Sequence, residues 1–177
     1  MEQFDFQNYD FKRNLILVGP QWVGKTTIAE KLLRKYLSNQ EVLNLYDAYS
    51  ITDGRFKQMI QDRSLKLRPP DEWTVDLKYY PLEMMIRSKL MLFDDLGASD
   101  ATPPYLRQLT FILDERIKKN LTTIFTTNLT MKEIEVQLDA RVASRITQNA
   151  DVIQMLWDDL RKKSARVFEY KLKKEEK

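Results

Sequence analysis

The sequence predicts an α/β fold, a parallel β-sheet sandwiched between two layers of helices. Two observations carry that expectation. Short apolar runs alternate with longer stretches of helical periodicity, as crossover connections between parallel strands require. The first apolar run also passes directly into a glycine-bearing turn and then an amphipathic helix. In chain order, strands are expected at Leu15–Val18, Val42–Tyr46, Leu90–Phe93, Thr122–Thr127 and Val152–Leu156. Ile28, Ala29, Leu32, Leu33 and Tyr36 recur at helical spacing and place a helix over Thr26–Leu37. The stretch from Gly54 to Lys89 is longer than one crossover needs and is read as two helices around a Pro69-Pro70 break. Pro103 and Pro104 suit the first turn of a helix running to Lys119, with Leu106, Leu109 and Leu113 inward. Thr130 and Glu133 form a capping-box pattern, and Asp139 caps a further helix carrying Val142, Ala143 and Ile146.

Composition narrows the chemistry. The chain has no Cys and no His, which removes disulfides, zinc or haem ligation by those residues, thiol nucleophiles and Ser-His-Asp catalysis. No apolar run approaches the roughly 18 residues of a membrane span, and the N-terminus lacks a signal-peptide layout. A soluble, cytoplasmic protein without membrane partners is therefore expected. The net charge of +3 is unevenly placed: residues 161–177 hold eight Lys/Arg against three Glu. The chain thus divides into a nearly neutral core, 1–160, and a basic tail, 161–177, which is either a solvated terminal helix or a contact to nucleic-acid phosphate.

The turn after the first strand reads Gly19-Pro20-Gln21-Trp22-Val23-Gly24-Lys25-Thr26, followed by Thr27. This is the phosphate-binding pattern G-x-x-x-x-G-K-T, between the strand and the helix it needs. Gly19 and Gly24 let the backbone wrap a β-phosphate with N–H groups pointing inward at a helix N-terminus. Lys25 supplies charge to the β- and γ-phosphates, and the Thr26 hydroxyl is a Mg²⁺ ligand. The bulky Trp22 is read as a cover for the nucleotide's edge. The third strand ends in Asp94 and Asp95. Asp94 is the expected metal partner, and Asp95 the group that orients and deprotonates an attacking water. Read alone, the same residues are a strand and an Asp-rich turn. Asn128 ends the fourth strand, where its amide can meet a γ-phosphate or the water, or simply serve a turn. Arg141 and Arg145 are four residues apart on one helix face.

These elements, in this order, resemble the AAA+ ATPases, specifically the DnaA/DnaC/IstB branch of replication initiators, helicase loaders and transposition helpers. Leu92-Phe93-Asp94-Asp95-Leu96-Gly97 is similar to that branch's Walker B motif, and Ile124-Phe125-Thr126-Thr127-Asn128-Leu129 to its sensor-one strand. Arg141-Val142-Ala143-Ser144-Arg145-Ile146 is similar to the segment bearing an arginine finger, Arg145 first and Arg141 second. Phe4-Asp5-Phe6-Gln7-Asn8-Tyr9 resembles the aromatic lead-in that packs near the adenine; an ordinary apolar cap explains it equally.

The resemblance implies a P-loop NTPase sandwich with five parallel strands in order 5-1-4-3-2, ATP and Mg²⁺ as cofactors, and homo-oligomers in which the finger acts across subunits. It implies partners as well: single-stranded DNA, and a replicative helicase or a transposase or initiator. Arg55, Lys57, Arg63, Lys66 and Arg68, with Phe56, Trp73, Tyr79 and Tyr80 nearby as stacking platforms, are the expected DNA-facing region; a solvated helix with core aromatics explains them equally. The pattern departs from the branch in having little chain before the first strand and no segment long enough for a lid after the last, leaving Arg161 as the only stand-in for a sensor-two arginine. That suggests a minimal core, as a phage or mobile element encodes. Two other readings remain open: a P-loop nucleotide or nucleoside kinase, with Asp47 as a substrate contact after the second strand, and a poorly hydrolysing nucleotide-dependent switch.

Overall fold

Alternation of apolar side chains along β1 (Asn14–Val18) decides the layering. In the computed structural model, which describes residues 4–69 and 80–155, Leu15 and Leu17 face one side of the sheet and Ile16 and Val18 the other. The first side is covered by α1 (Lys25–Ser38) through Ala29 and Leu32, and by the N-terminal segment through Tyr9. The second is covered by α2 (Asp53–Gln61), α3 (Pro81–Arg87), α4 (Pro103–Lys118), α5 (Met131–Leu138) and α6 (Ala140–Thr147). The remaining strands are β2 (Ala48–Thr52), β3 (Leu90–Asp94), β4 (Thr122–Thr127) and β5 (Ala150–Gln154). All pair in parallel in the order β2-β3-β4-β1-β5, the expected order read from the other edge. Every residue of β3 and β4 is buried, as central strands covered on both faces should be.

The predicted capping chemistry is present. Thr130 accepts from the Glu133 N–H at 3.3 Å while Glu133 accepts from the Thr130 N–H at 2.7 Å, and Asp139 accepts from the Arg141 N–H at 2.7 Å. Pro103 opens α4 as expected. Gly54 lies in the first turn of α2, which Thr52 caps. The basic 55–68 stretch is helical only to Gln61, and Lys57 pairs with Asp100 at 3.3 Å.

Both edge strands differ from expectation. The second is Ala48–Thr52; the Val42–Tyr46 run that reads as a strand is a loop, with Val42, Leu43 and Leu45 74%, 65% and 71% exposed. The fifth is Ala150–Gln154, two residues earlier than Val152–Leu156. Asp47 consequently precedes β2 instead of following it. It is buried, accepting from Lys89 Nζ at 2.8 Å and from the Asn44 N–H at 2.6 Å, so it ties together the entries of β2 and β3. This is the sheet end opposite the strand C-termini, and Asp47 is no substrate contact there.

Hydrogen bonding to Lys89, then to the Asn44 backbone, holds the Asp47 carboxyl below the usual carboxylate range. A depressed folded value means stability that is full above the unfolded value of about 3.9 and lost as pH falls through the folded one. Asp47→Asn should therefore be less stable at neutral pH yet lose stability less steeply on acidification. Parallel urea-melt stabilities of the two proteins from pH 6 to pH 2 would refute this.

At the same sheet end the buried Arg116 guanidinium donates to Thr123 Oγ1 (2.8 Å), Thr122 O (2.6 Å), Met85 O (2.6 Å) and Ser88 O (2.9 Å). It thereby locks the end of α4 to α3 and to the start of β4. Burial, with no acidic partner among the described residues, pushes its pKa down to about 9. Among the described residues, no helix is long and apolar enough to cross a membrane. The basic tail, Arg161, Trp73 and Tyr79 lie outside the described residues.

Candidate functional site

Parallel strands present their C-terminal ends on one side of a sheet, where ligands of open α/β folds bind. Here β1 delivers the Gly19–Gly24 turn, β3 delivers Asp94 and Asp95, and β4 delivers Asn128. Gln21, Trp22, Gly24, Lys25, Thr26, Thr27, Asp95 and Asn128 line a cleft of about 430 Å³. Of the predicted loop residues, Gly19, Pro20 and Val23 are absent from that lining. Gly19 and Val23 are buried, with the Val23 side chain packed in the core beneath the loop.

Two glycines are required by geometry. Gly24 caps α1 at φ 90°, in the left-handed region, where a side chain would be strained. A Cβ on Gly19 would lie 2.6 Å from the carbonyl oxygen of Met155, whose N–H donates to Val18 O at 2.7 Å. Trp22 also sits at positive φ, 70°, and is 43% exposed at the cleft wall.

Lys25 opens α1 and is only 5% exposed. Its ammonium donates to Gly19 O at 2.8 Å, Pro20 O at 2.7 Å and Asn128 Oδ1 at 2.7 Å. Burial lowers its basicity, and the carboxylates of Asp95 and Asp94 oppose that. Thr26 Oγ1 donates to Asp94 Oδ1 at 2.9 Å. Partial burial raises the Asp95 carboxyl, Asp94 raises it further, and Lys25 pulls it back. Asp95 itself is at φ 57°, turning the chain out of β3.

The oxygen pair of Thr26 and Asp94 is a hard donor set suited to Mg²⁺. That cation takes one or two protein ligands and completes its shell with phosphate and water. Among the described residues no cluster of three or more carboxylates competes for a metal.

Arg141 and Arg145 lie on α6, outside the cleft lining. Arg145 is gripped by Asp114 of α4, with Nε–Oδ1 at 2.5 Å and Nη2–Oδ2 at 3.2 Å, and donates from Nη1 to Arg141 O at 3.0 Å. Arg141 is exposed. The aromatic lead-in forms a contiguous cluster in which Phe4 meets both Phe6 and Tyr9, Tyr9 meets Phe11, and Phe11 closes on Tyr36 of α1.

Two site-shaping residues escape a reading of sequence. Thr126, on β4, contacts both Asp94 and the Asp95 backbone. Asp53, fully buried at the start of α2, accepts from the Ser99 N–H at 2.7 Å and from the Tyr105 hydroxyl, bracing the loop behind Asp95.

The same fold occurs in proteins of DNA replication. The chain superposes on the DnaC helicase loader with a TM-score of 0.64 and 19% identity, covering 85% of this chain and 84% of that one. DnaI gives a TM-score of 0.60 and 22% identity over 87% and 77% of the two chains. AMPPCP-bound DnaA from Aquifex aeolicus gives 0.63 and 15%, over 92% of this chain and 48% of that one. No protein-family model and no curated protein matches the chain. The fold is thus that of the DnaC helicase loader and of DnaA, as the resemblance implied.

Proposed function

We propose that the chain is a Mg²⁺-dependent ATPase of helicase-loader type, acting in replication or as an accessory ATPase in transposition. The observation that carries this reading is the convergence of Lys25, the Thr26–Asp94 pair, Asp95 and Asn128 on one cleft. The loop N–H groups and Lys25 bind the phosphates, and Lys25 exchanges its bonds to Gly19 O and Pro20 O for phosphate oxygens. Thr26 and Asp94 hold the metal, which when bound neutralises charge on the β- and γ-phosphates. Asp95 orients a water and takes its proton, and Asn128 supplies an amide to the γ-phosphate or that water. A kinase reading loses its substrate contact, because Asp47 is spent on Lys89 at the other end of the sheet.

Single-stranded DNA and a replicative helicase, or a transposase or initiator, are the proposed partners, with the basic residues of the 55–68 stretch facing the nucleic acid. A neighbouring subunit of a homo-oligomer supplies the finger from α6, Arg145 first and Arg141 second. The Asp114 fork orients Arg145 from within its own subunit.

ATP hydrolysis is expected to be stimulated by single-stranded DNA; phosphoryl transfer to a nucleoside or nucleotide acceptor instead of water would overturn the reading. Arg145→Ala should lower turnover by about 10³-fold, the scale of an arginine finger. Mixing it with the Lys25→Ala protein should restore activity, since each supplies what the other lacks. Full activity of Arg145→Ala as a monomer would move the finger elsewhere.

A further inference from the structure

The β3–β4 ladder ends at Phe93 opposite Phe125, and beyond it a side chain takes over the pairing. Thr126 is completely buried. Its Oγ1 donates to Asp94 Oδ1 at 2.5 Å and accepts from the Asp95 N–H at 2.9 Å. A hydroxyl has one hydrogen; with that spent on Asp94, the lone pairs meet the Asp95 amide, so both functions of the group are used at once. The β-branched side chain has little rotameric freedom in a strand, which fixes the oxygen's position.

Adjacent bonds extend the grip. Thr126 O accepts from the Leu96 N–H at 2.8 Å, and Thr127 Oγ1 donates to Leu96 O at 2.8 Å while accepting from the Leu129 N–H at 3.0 Å. The left-handed turn at Asp95 is therefore held against β4 along its length. At Asp94, Thr26 and Thr126 share Oδ1, and among the described residues nothing hydrogen-bonds Oδ2.

We propose that Thr126 is a positioning residue for both carboxylates: it fixes the rotamer of Asp94 so that Oδ2 serves the metal shell, and it fixes the backbone turn that aims Asp95. This rests on the ATPase reading of the site. When Thr26 turns to a metal ion, Thr126 is the bond that still orients Asp94. A side chain needed only for packing would be replaced without loss by valine, which has the same shape and neither donor nor acceptor.

The test compares Thr126→Val, Thr126→Ser and the parent in three measurements: exchange of the Asp95 amide in the nucleotide-free protein, binding of a fluorescent ATP analogue in Mg²⁺ and in EDTA, and steady-state hydrolysis. Thr126→Val should bind the analogue in EDTA like the parent and lose the gain in affinity that Mg²⁺ gives. Its kcat should fall about 10- to 100-fold and its Asp95 amide should exchange at least about tenfold faster, the scale of losing a hydrogen bond to a charged group. Thr126→Ser, which keeps the hydroxyl, should stay near the parent in all three. Parental amide exchange and a parental Mg²⁺ gain in Thr126→Val would overturn the inference alone, as would a serine variant as impaired as the valine one. A parent protein whose nucleotide affinity ignores Mg²⁺ would overturn the ATPase reading and this inference with it. If Thr126→Val does not fold, Thr126→Ala lacks the same hydroxyl and is held to the same outcomes.

Discussion

Lys25→Ala is expected to weaken nucleotide binding and to cut turnover by at least about 100-fold, the scale on which a preorganised donor to developing charge acts. The ammonium has three hydrogens, and the structure uses all three, on Gly19 O, Pro20 O and Asn128 Oδ1. Two of those acceptors belong to the turn proposed to wrap the phosphates, so the lysine shapes the loop as well as charging it. Its basicity is lowered by burial, which marks a charge kept in a poorly solvated position where its field reaches further. The fold should survive, because two of the three bonds it leaves, to Pro20 O and Asn128 Oδ1, are only partly buried and water can replace them. A melting temperature within a few degrees of the parent would confirm that, at a cost of about 1–2 kcal/mol. Lys25→Arg should not rescue, since a planar guanidinium cannot reproduce three converging bonds at 2.7–2.8 Å. Parental affinity for a fluorescent ATP analogue in Lys25→Ala would place the phosphates elsewhere.

Asp95→Asn should separate binding from chemistry. Turnover is expected to fall about a hundred- to ten-thousand-fold, the contribution of a positioned general base. Nucleotide affinity should hold or improve, because one of two adjacent negative charges facing a polyphosphate is gone. The substitution is clean for a conformational reason as well. Asp95 sits at φ 57°, and asparagine is among the few residues that accept the left-handed region as readily as aspartate. The backbone N–H keeps its bond to Thr126 Oγ1, so the turn is retained. Single-turnover phosphate release alongside equilibrium binding checks both halves. Loss of binding in step with turnover would mean that Asp95 holds nucleotide instead of activating water.

The central strands were legible because both of their faces are buried. Leu90–Phe93 and Thr122–Thr127 are apolar or β-branched along their whole length, and β3 and β4 match those runs to within a residue. The edges were not. Of β2 only Ile51 is buried, so its sequence Ala48–Thr52 is less apolar than the exposed loop before it. What selects the later segment is the Asp47–Lys89 clamp, which sets Ala48 opposite Leu90, a pairing 42 residues long in sequence. The turn from Gly19 to Gly24 is legible as a turn between a strand and a helix, since its residues are consecutive and its glycines local. Thr126 was not, because a threonine in a strand is ordinary; its meaning depends on lying across from Asp94 and Asp95 in a register that spacing alone does not reveal. Asp53 escaped for the same reason, its partners being 46 and 52 residues away.

The contact between Gly19 and Met155 has a mechanical side. The first residue of the phosphate loop rests directly on the main chain leaving β5, which is itself pinned to the end of β1 through Val18 O. A side chain at position 19 would have to push apart the ends of β1 and β5 before it could be seated, so the glycine there is a condition of the sheet's closure as well as of the turn's shape.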